Sequence, residues 1–355
     1  MKRFNMNRRA FLTASSAAVL ATPSILRAQD RSLKVSAFGG YFEDSLIKHV
    51  YPKFTEDTGI AINSVSQSGG ASWWAAIRAG AATGEPPADV SMPGGQGAIR
   101  QMDLFAALDE AALPNIANVD PALITRDAEG RIRAVAVLAW YTTFVTNTDV
   151  FPEPPASWAD MWGETYKGSL GLNANADTSY ILDITAKTFF DGQDILRTRE
   201  GLDQVMEKAA ELRENVTLWY KDEGQFQQAL QSGEIPAGQY YHDVTLLAAA
   251  DGFPVRSTFP AEGGVIDFGS WGVIEGSQKL AEAEVFVNWC CSPEVQALMS
   301  RMIGTAPIVP QALTDLTDEE FGAVSAPGAP IVPLFDVYVS EADYIAERWA
   351  SLIAN

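Results

Sequence analysis

"IRAVAVLAWYTTFVTNTDVF" (132–151) is the stretch that decides the architecture. It is β-branched and aromatic, and neither Gly nor Pro interrupts it, so it reads as one long β-rich segment. That length suits a crossing between two lobes. "GGVIDFGSWGVIEG" (263–276) is a second β-rich stretch and reads as the return crossing. Two crossing strands make a hinge, and the cleft between the lobes is a natural ligand site.

The flanking sequence supplies the lobes. "LKVSAFG" (33–39), "IAINSVS" (60–66) and "ADVSMPGG" (88–95) read as strands ending in turns or Gly-rich loops. A helix is expected between the first two, over 41–59, with Leu46, Val50 and Phe54 on one face and Gly59 as its C-cap. Another is expected from about Trp73 to Ala82. This alternation implies a parallel sheet with helices on its faces, an α/β fold. After the first crossing, "SLGLNANADTSYILDITAKTFF" (169–190) reads as strand, polar loop and helix. "EGQFQQALQSGEIPAGQYYHDVTLLAAADG" (223–252) reads as helix, turn, short strand and helix. "AEAEVFVNWCCSPEVQALM" (281–299) reads as one helix, and "SAPGAPIVP" (325–333) as a connector. The expected division is 31–140 plus about 271–312 for lobe 1, 141–270 for lobe 2, and 313–355 packing across both.

The N-terminus differs in character. "FLTASSAAVLATPSIL" (11–26) is too short and too polar for a membrane span. Behind Lys2, Arg3, Arg8 and Arg9, and ahead of a small-residue exit near Ala28, it fits a signal peptide over 1–28. Asn7-Arg8-Arg9-Ala10-Phe11-Leu12 resembles a twin-arginine export signal, so a periplasmic location is expected. The 355-residue chain carries a net charge of −20. Residues 1–28 hold five basic and no acidic side chains, so their removal leaves −25. Such a charge argues against nucleic acid and against anionic membrane surfaces. Cys290 and Cys291 are adjacent, which strains a disulfide, and are expected as small core residues.

Enzyme chemistry is not legible. The two histidines are His49 and His242. No zinc-protease pair, phosphate loop or Gly-x-Ser-x-Gly elbow is present, and "SGGAS" (68–72) and "GQGAIR" (95–100) lack dinucleotide spacing. No enzyme, cofactor or metal is expected; an exported enzyme on the same fold is the alternative of another class, since abundant carboxylates leave a glycosidase-like pair open.

Ligands of α/β sheets sit off the carboxyl ends of strands, which points to loops 38–43, 66–72, 92–97, 173–180 and 240–243. The candidate pocket segments carry Tyr41, Phe42, Trp140, Tyr141, Tyr180, Tyr240, Tyr241 and Trp271, with the acids Asp177, Asp243 and Asp267. Aromatic faces attract cations. A carboxylate in a closed cleft needs a positive partner, and an amine supplies one. Trp73 shares a helical face with Ile77 and Trp74 with Arg78, so at most one of the two reaches the cleft.

Several blocks, in order, resemble bacterial extracellular solute-binding proteins of the spermidine/putrescine-binding type. They are "SLIKHVYPKFTEDTGI", "ADVSMPGG", "LPNIANVDP", "WYTTFVTNTDVF", "PPASWADMWGETYKGSLGL" and "GSWGVIEGSQKLAEAEVFVNWCCSPEVQALM". The most telling is Ser157-Trp158-Ala159-Asp160-Met161-Trp162 followed by Tyr166-Lys167-Gly168. The resemblance covers about 33–312. It implies a two-lobed periplasmic-binding-protein fold, a monomer that captures a small molecule by lobe closure, and the membrane permease of an ABC importer as partner.

The resemblance also implies site positions. The aromatic-acid segment after strand one is Gly39-Gly40-Tyr41-Phe42-Glu43. The Ser/Thr-aromatic loop becomes Gly94-Gly95-Gln96 and loses its aromatic. Asp177 matches the acid that opens the second-lobe helix, whereas Tyr180 replaces the acid three residues on. Tyr241 matches an aromatic that ends a short strand. Asp267-Phe268-Gly269 displaces both the Trp and the Asp of a Trp-x-Asp crossing segment, and Thr305 replaces a Tyr. Two ligand classes stay open. One is a polyamine or related cation held by Asp177, Asp267, Asp243 and the tyrosines. The other is a small anion or zwitterion held by backbone N–H groups of the loops at 69–70 and 94–97. The acids and aromatics favour the cation.

Overall fold

Residues 132–147 form one strand whose two ends serve different neighbours. The computed structural model describes residues 31–39, 41–67, 71–221, 223–326 and 328–354; the expected signal peptide lies outside them. The described strands are β1 (Ser32–Phe38), β2 (Ala61–Gln67), β3 (Val90–Ser91), β4 (Ile124–Arg126) and β5 (Ile132–Asn147), then β6 (Leu170–Asn173), β7 (Val216–Tyr220), β8 (Ala237–Tyr241), β9 (Val255–Thr258) and β10 (Val265–Val273). They form one sheet in the order β2-β1-β3-β10-β5-β8-β6-β7, with β4 and β9 also on β5. β1 pairs in parallel with β2 and β3, and β6 in parallel with β7 and β8. Between these parallel units, β5 and β10 run antiparallel as a shared spine. Residues up to Thr142 of β5 meet β4 and β10, and those from Thr142 onward meet β8 and β9. β5 is buried at nearly every position, which is why its sequence reads as an apolar run without alternation.

The described α-helices are α1 (Tyr41–Ser45), α2 (Tyr51–Thr58), α3 (Ala71–Thr83), α4 (Gly95–Arg100), α5 (Ala176–Ser179), α6 (Ile181–Phe189) and α7 (Arg199–Ala210). They continue with α8 (Glu223–Ser232), α9 (His242–Ala250), α10 (Leu280–Cys290), α11 (Pro293–Ile303), α12 (Asp318–Gly322), α13 (Phe335–Ser340) and α14 (Ala342–Ala354). A π-helical turn over Leu46–Val50 joins α1 to α2, so the expected 41–59 helix is continuous. Leu46, Val50 and Phe54 are buried, and Gly59 ends the helix at φ 69°. The expected single helix over 281–299 is instead α10 and α11. Pro293 cannot donate the hydrogen bond that would continue α10, and it opens α11. Cys290 and Cys291 are buried free thiols in the core.

Ser157 caps a short 3₁₀ helix, Trp158–Trp162, accepting from the Ala159 N–H at 3.0 Å while Asp160 reaches back to the Ser157 N–H at 3.1 Å. This cap fixes Trp158, which is fully buried and stacked on Phe144 at 6.0 Å. Ser157→Ala is expected to cost about 1 kcal/mol in urea unfolding. An unchanged midpoint would remove the cap from the account.

The C-terminal segment reaches both sides of the spine. Asp183 of α6 accepts from the Leu334 N–H (3.1 Å) and the Tyr338 hydroxyl (2.6 Å). Arg197 meets Asp336 at 2.7 Å, and Arg348 meets Asp203 of α7 at 3.2 Å. Ile331 bridges to Val265 of β10. On the other side, Phe335 lies against Gly95 of α4.

Candidate functional site

Trp140 and Asp267 face each other across β5 and β10, so their side chains leave the same face of the sheet. Tyr241 pairs with Thr142, two residues along β5, and shares that face. Two loops converge here. From the β3 side, the Gly95 N–H donates to Asp267 Oδ1 at 3.3 Å, and the Gln96 amide donates to the carbonyl of Asp177. From the β6 side, the Tyr180 hydroxyl donates to Asp267 Oδ2 at 2.7 Å. The Phe268 N–H adds a third donor at 2.7 Å. Asp267 is therefore held by three donors from the protein, two on Oδ1 and one on Oδ2. Burial pushes its carboxyl up to about 6 despite these donors.

Tyr180 is the one non-glycine residue with positive φ among the described residues, at φ 52°. The left-handed turn lies between α5 and α6 and aims the ring inward. Burial, then the neighbouring Asp267, raises its hydroxyl well above the ordinary value. Phe335 closes the cluster, 5.8 Å from the Tyr180 ring and 5.3 Å from Phe268. A Cβ on Gly95 would stand 2.7 Å from Phe335 Cζ and 3.0 Å from Asp267 Oδ1. Glycine is what allows the β3 loop to come this close.

Against that geometry, a family model for bacterial extracellular solute-binding proteins matches residues 50–323. The chain belongs to that family. It is 25% identical over 298 residues to the gamma-aminobutyric acid-binding protein of Pseudomonas aeruginosa, covering 81% of this chain and 80% of that one. It is 23% identical over 208 residues to the spermidine/putrescine-binding periplasmic protein of Escherichia coli, 58% of each. An ABC transporter substrate-binding protein from Bradyrhizobium japonicum USDA 110 shares the fold at a TM-score of 0.76 and 20% identity, over 91% of this chain and 99% of that one. By family the protein is thus an extracellular solute-binding protein. Among the described residues no helix is long and apolar enough to cross a membrane.

This solute-binding protein brings Gln96, Asp177, Tyr180 and Asp267 together and disperses other expected residues. Tyr141 leaves the opposite face from Trp140, packs edge-on to Phe259 at 5.1 Å and accepts from Ser325 at 3.4 Å, so strand alternation carries it away from the Asp267 cluster. Phe42 packs on Phe38 at 6.5 Å, and Glu43 accepts from Ser64 at 2.6 Å. Gly94 bridges to Gly269 of β10. Asp177 contributes its carbonyl to the cluster, while its residue also lines a cavity of about 410 Å³ with Trp219, Lys221 and Trp349. The Tyr41 side chain and the loop at 69–70 lie outside the described residues.

Among the other aromatics, Tyr240 sits in a small core with Phe226, and Trp271 is buried against Phe286. Trp73 is buried with Ile77 and donates to Ser91 at 3.0 Å; Trp74 packs on Phe105. His242 is held at 2.8 Å from Ser257, and burial pushes it down to about 4, leaving a neutral ring near pH 7. Burial also raises the carboxyl of Asp243, whose Oδ1 has no hydrogen-bond partner within the protein. Phe335 was not among the expected site residues. It follows a Pro-rich connector far along the chain, and no local pattern marks it.

Proposed function

We propose that this protein is the periplasmic receptor of an ABC importer and captures a small organic amine, of the polyamine or aminobutyrate kind, by lobe closure. The lobes are 31–140 with about 271–312, and 141–270, with 313–355 spanning them. The observation that carries the reading is the meeting of Gly95 and Gln96 with Asp177, Tyr180 and Asp267 beside Trp140 and Tyr241. A ligand touched from both sides favours the closed form because the open form offers it half the contacts. The closed form is what the permease recognises, and the twin-arginine-like start delivers the chain to the periplasm.

Two further points favour an amine over a simple anion. The two relatives described above are named for spermidine/putrescine, which are cationic amines, and for γ-aminobutyrate, a zwitterion whose ammonium end is what it shares with them. The Gly95 N–H, one of the backbone donors an anion would need, is already committed to Asp267. Calorimetry with putrescine, spermidine and γ-aminobutyrate, set beside a phosphonate and an inorganic anion, tests the reading. Saturable binding of at least one amine is expected. Binding of the anions alone would overturn it.

A further inference from the structure

The amine reading leaves open which acid takes the charge, and Asp267 is already occupied. We propose that the groove between α9 and α11 holds the ammonium end of the ligand, with Asp243 Oδ1 and Ser300 Oγ as its acceptors. This placement rests on the amine reading of the preceding section.

The groove has a volume of about 280 Å³ and is lined by Asp243 and Leu247 from α9 and by Ser300, Met302 and Gly304 at the end of α11. That suits a primary ammonium with a short alkyl stem. Asp243 Oδ1 and Ser300 Oγ are both buried with no hydrogen-bond partner within the protein, and Ser300 is 5% exposed. Thr305 Oγ1, beside Gly304, is in the same condition. Buried polar atoms without partners are rare, because leaving them unpaired forfeits the hydrogen bonds they make with water in the unfolded chain. Asp243 and Ser300 line this one groove together, and both unpartnered oxygens can accept. An ammonium group brings three donors and no acceptor, so it matches the set.

The charges around the groove agree. Arg301 lines it, but its guanidinium is taken by Asp315 at 3.0 Å and Glu320 at 2.7 Å. His242, next to Asp243, is neutral near pH 7. Leu247 and Met302, 60% and 40% exposed, offer apolar surface to an alkyl chain. Asp243 and Ser300 fall on opposite sides of the proposed lobe division, so an ammonium between them would join the lobes.

Calorimetry with putrescine and with γ-aminobutyrate tests this on the wild type, Asp243→Asn and Ser300→Ala. Asp243→Asn is expected to weaken binding of the amine by about tenfold or more, and Ser300→Ala by about threefold. Near-UV circular dichroism checks that each variant is folded; if Asp243→Asn is not, Ser300→Ala decides. Wild-type affinity in the folded variants overturns the placement and leaves the amine reading standing. No binding of either amine by the wild type overturns the amine reading, and the placement falls with it.

Discussion

Gly95→Ala is expected to weaken ligand binding by roughly 30- to 150-fold, equivalent to about 2–3 kcal/mol, with little change in the stability of either lobe. Gly95 is the first residue of α4, where alanine is a better helix former than glycine. Nothing in the local backbone demands glycine there; its φ is not positive. What demands it is the arrival of the C-terminal segment. A methyl group would stand 2.7 Å from Phe335 Cζ and 3.0 Å from Asp267 Oδ1. The ring cannot step aside easily, because Tyr180 and Phe268 hold it edge-on at 5.8 and 5.3 Å. Phe335 follows Leu334, whose N–H is bonded to Asp183 of α6. The added methyl therefore penalises the form in which the β3 loop meets this cluster and spares the separated form. Calorimetric affinity beside a thermal melt checks this. Unchanged affinity would show that the Gly95–Phe335 contact plays no part in closure.

The same contact shows where the sequence was readable. The crossing strands announce themselves, since β5 is long, apolar and unbroken, and burial on both faces writes that pattern directly into composition. The continuous helix from α1 through α2 is legible from Leu46, Val50, Phe54 and the terminal Gly59. The break between α10 and α11 carries its signal at Pro293, where apolar periodicity continues across it and conceals it. The cluster around Asp267 has no such local mark. Its bonds join residues 172 and 87 positions apart, Gly95 and Tyr180 to Asp267. Asp267 therefore reads in sequence as a free acid for a ligand, whereas in the fold three protein donors already hold it. Asp243, which reads less distinctively, keeps an unpartnered oxygen.

Asp183→Asn is expected to gain roughly 3 kcal/mol relative to the wild type between about pH 4 and about pH 6. Asp183 is wholly buried, and burial lifts its carboxyl from 3.8 to about 6 in spite of the donors from Tyr338, Gln193 and the Leu334 N–H. Below about pH 4 both folded and unfolded chains hold the proton, and the carboxyl adds no pH dependence. As pH rises from there, the unfolded chain releases its proton while the folded chain keeps it. The unfolded state then binds fewer protons, so stability falls, and the fall ends once the folded carboxyl ionises above about 6. An amide has no such titration. It can still accept from the Leu334 N–H, so α13 keeps its anchor.

Two other buried groups titrate in this window. Asp267, also raised to about 6, lowers stability with rising pH in the same sense. His242, depressed to about 4, acts oppositely, because the unfolded chain binds the proton that the buried ring refuses. Both are present in wild type and variant, so they cancel in the difference between urea curves taken at several pH values. A difference that stays flat across the window would mean that Asp183 is ionised in the fold throughout. The anchor of the C-terminal segment would then be a charge held by three donors and not a neutral acid.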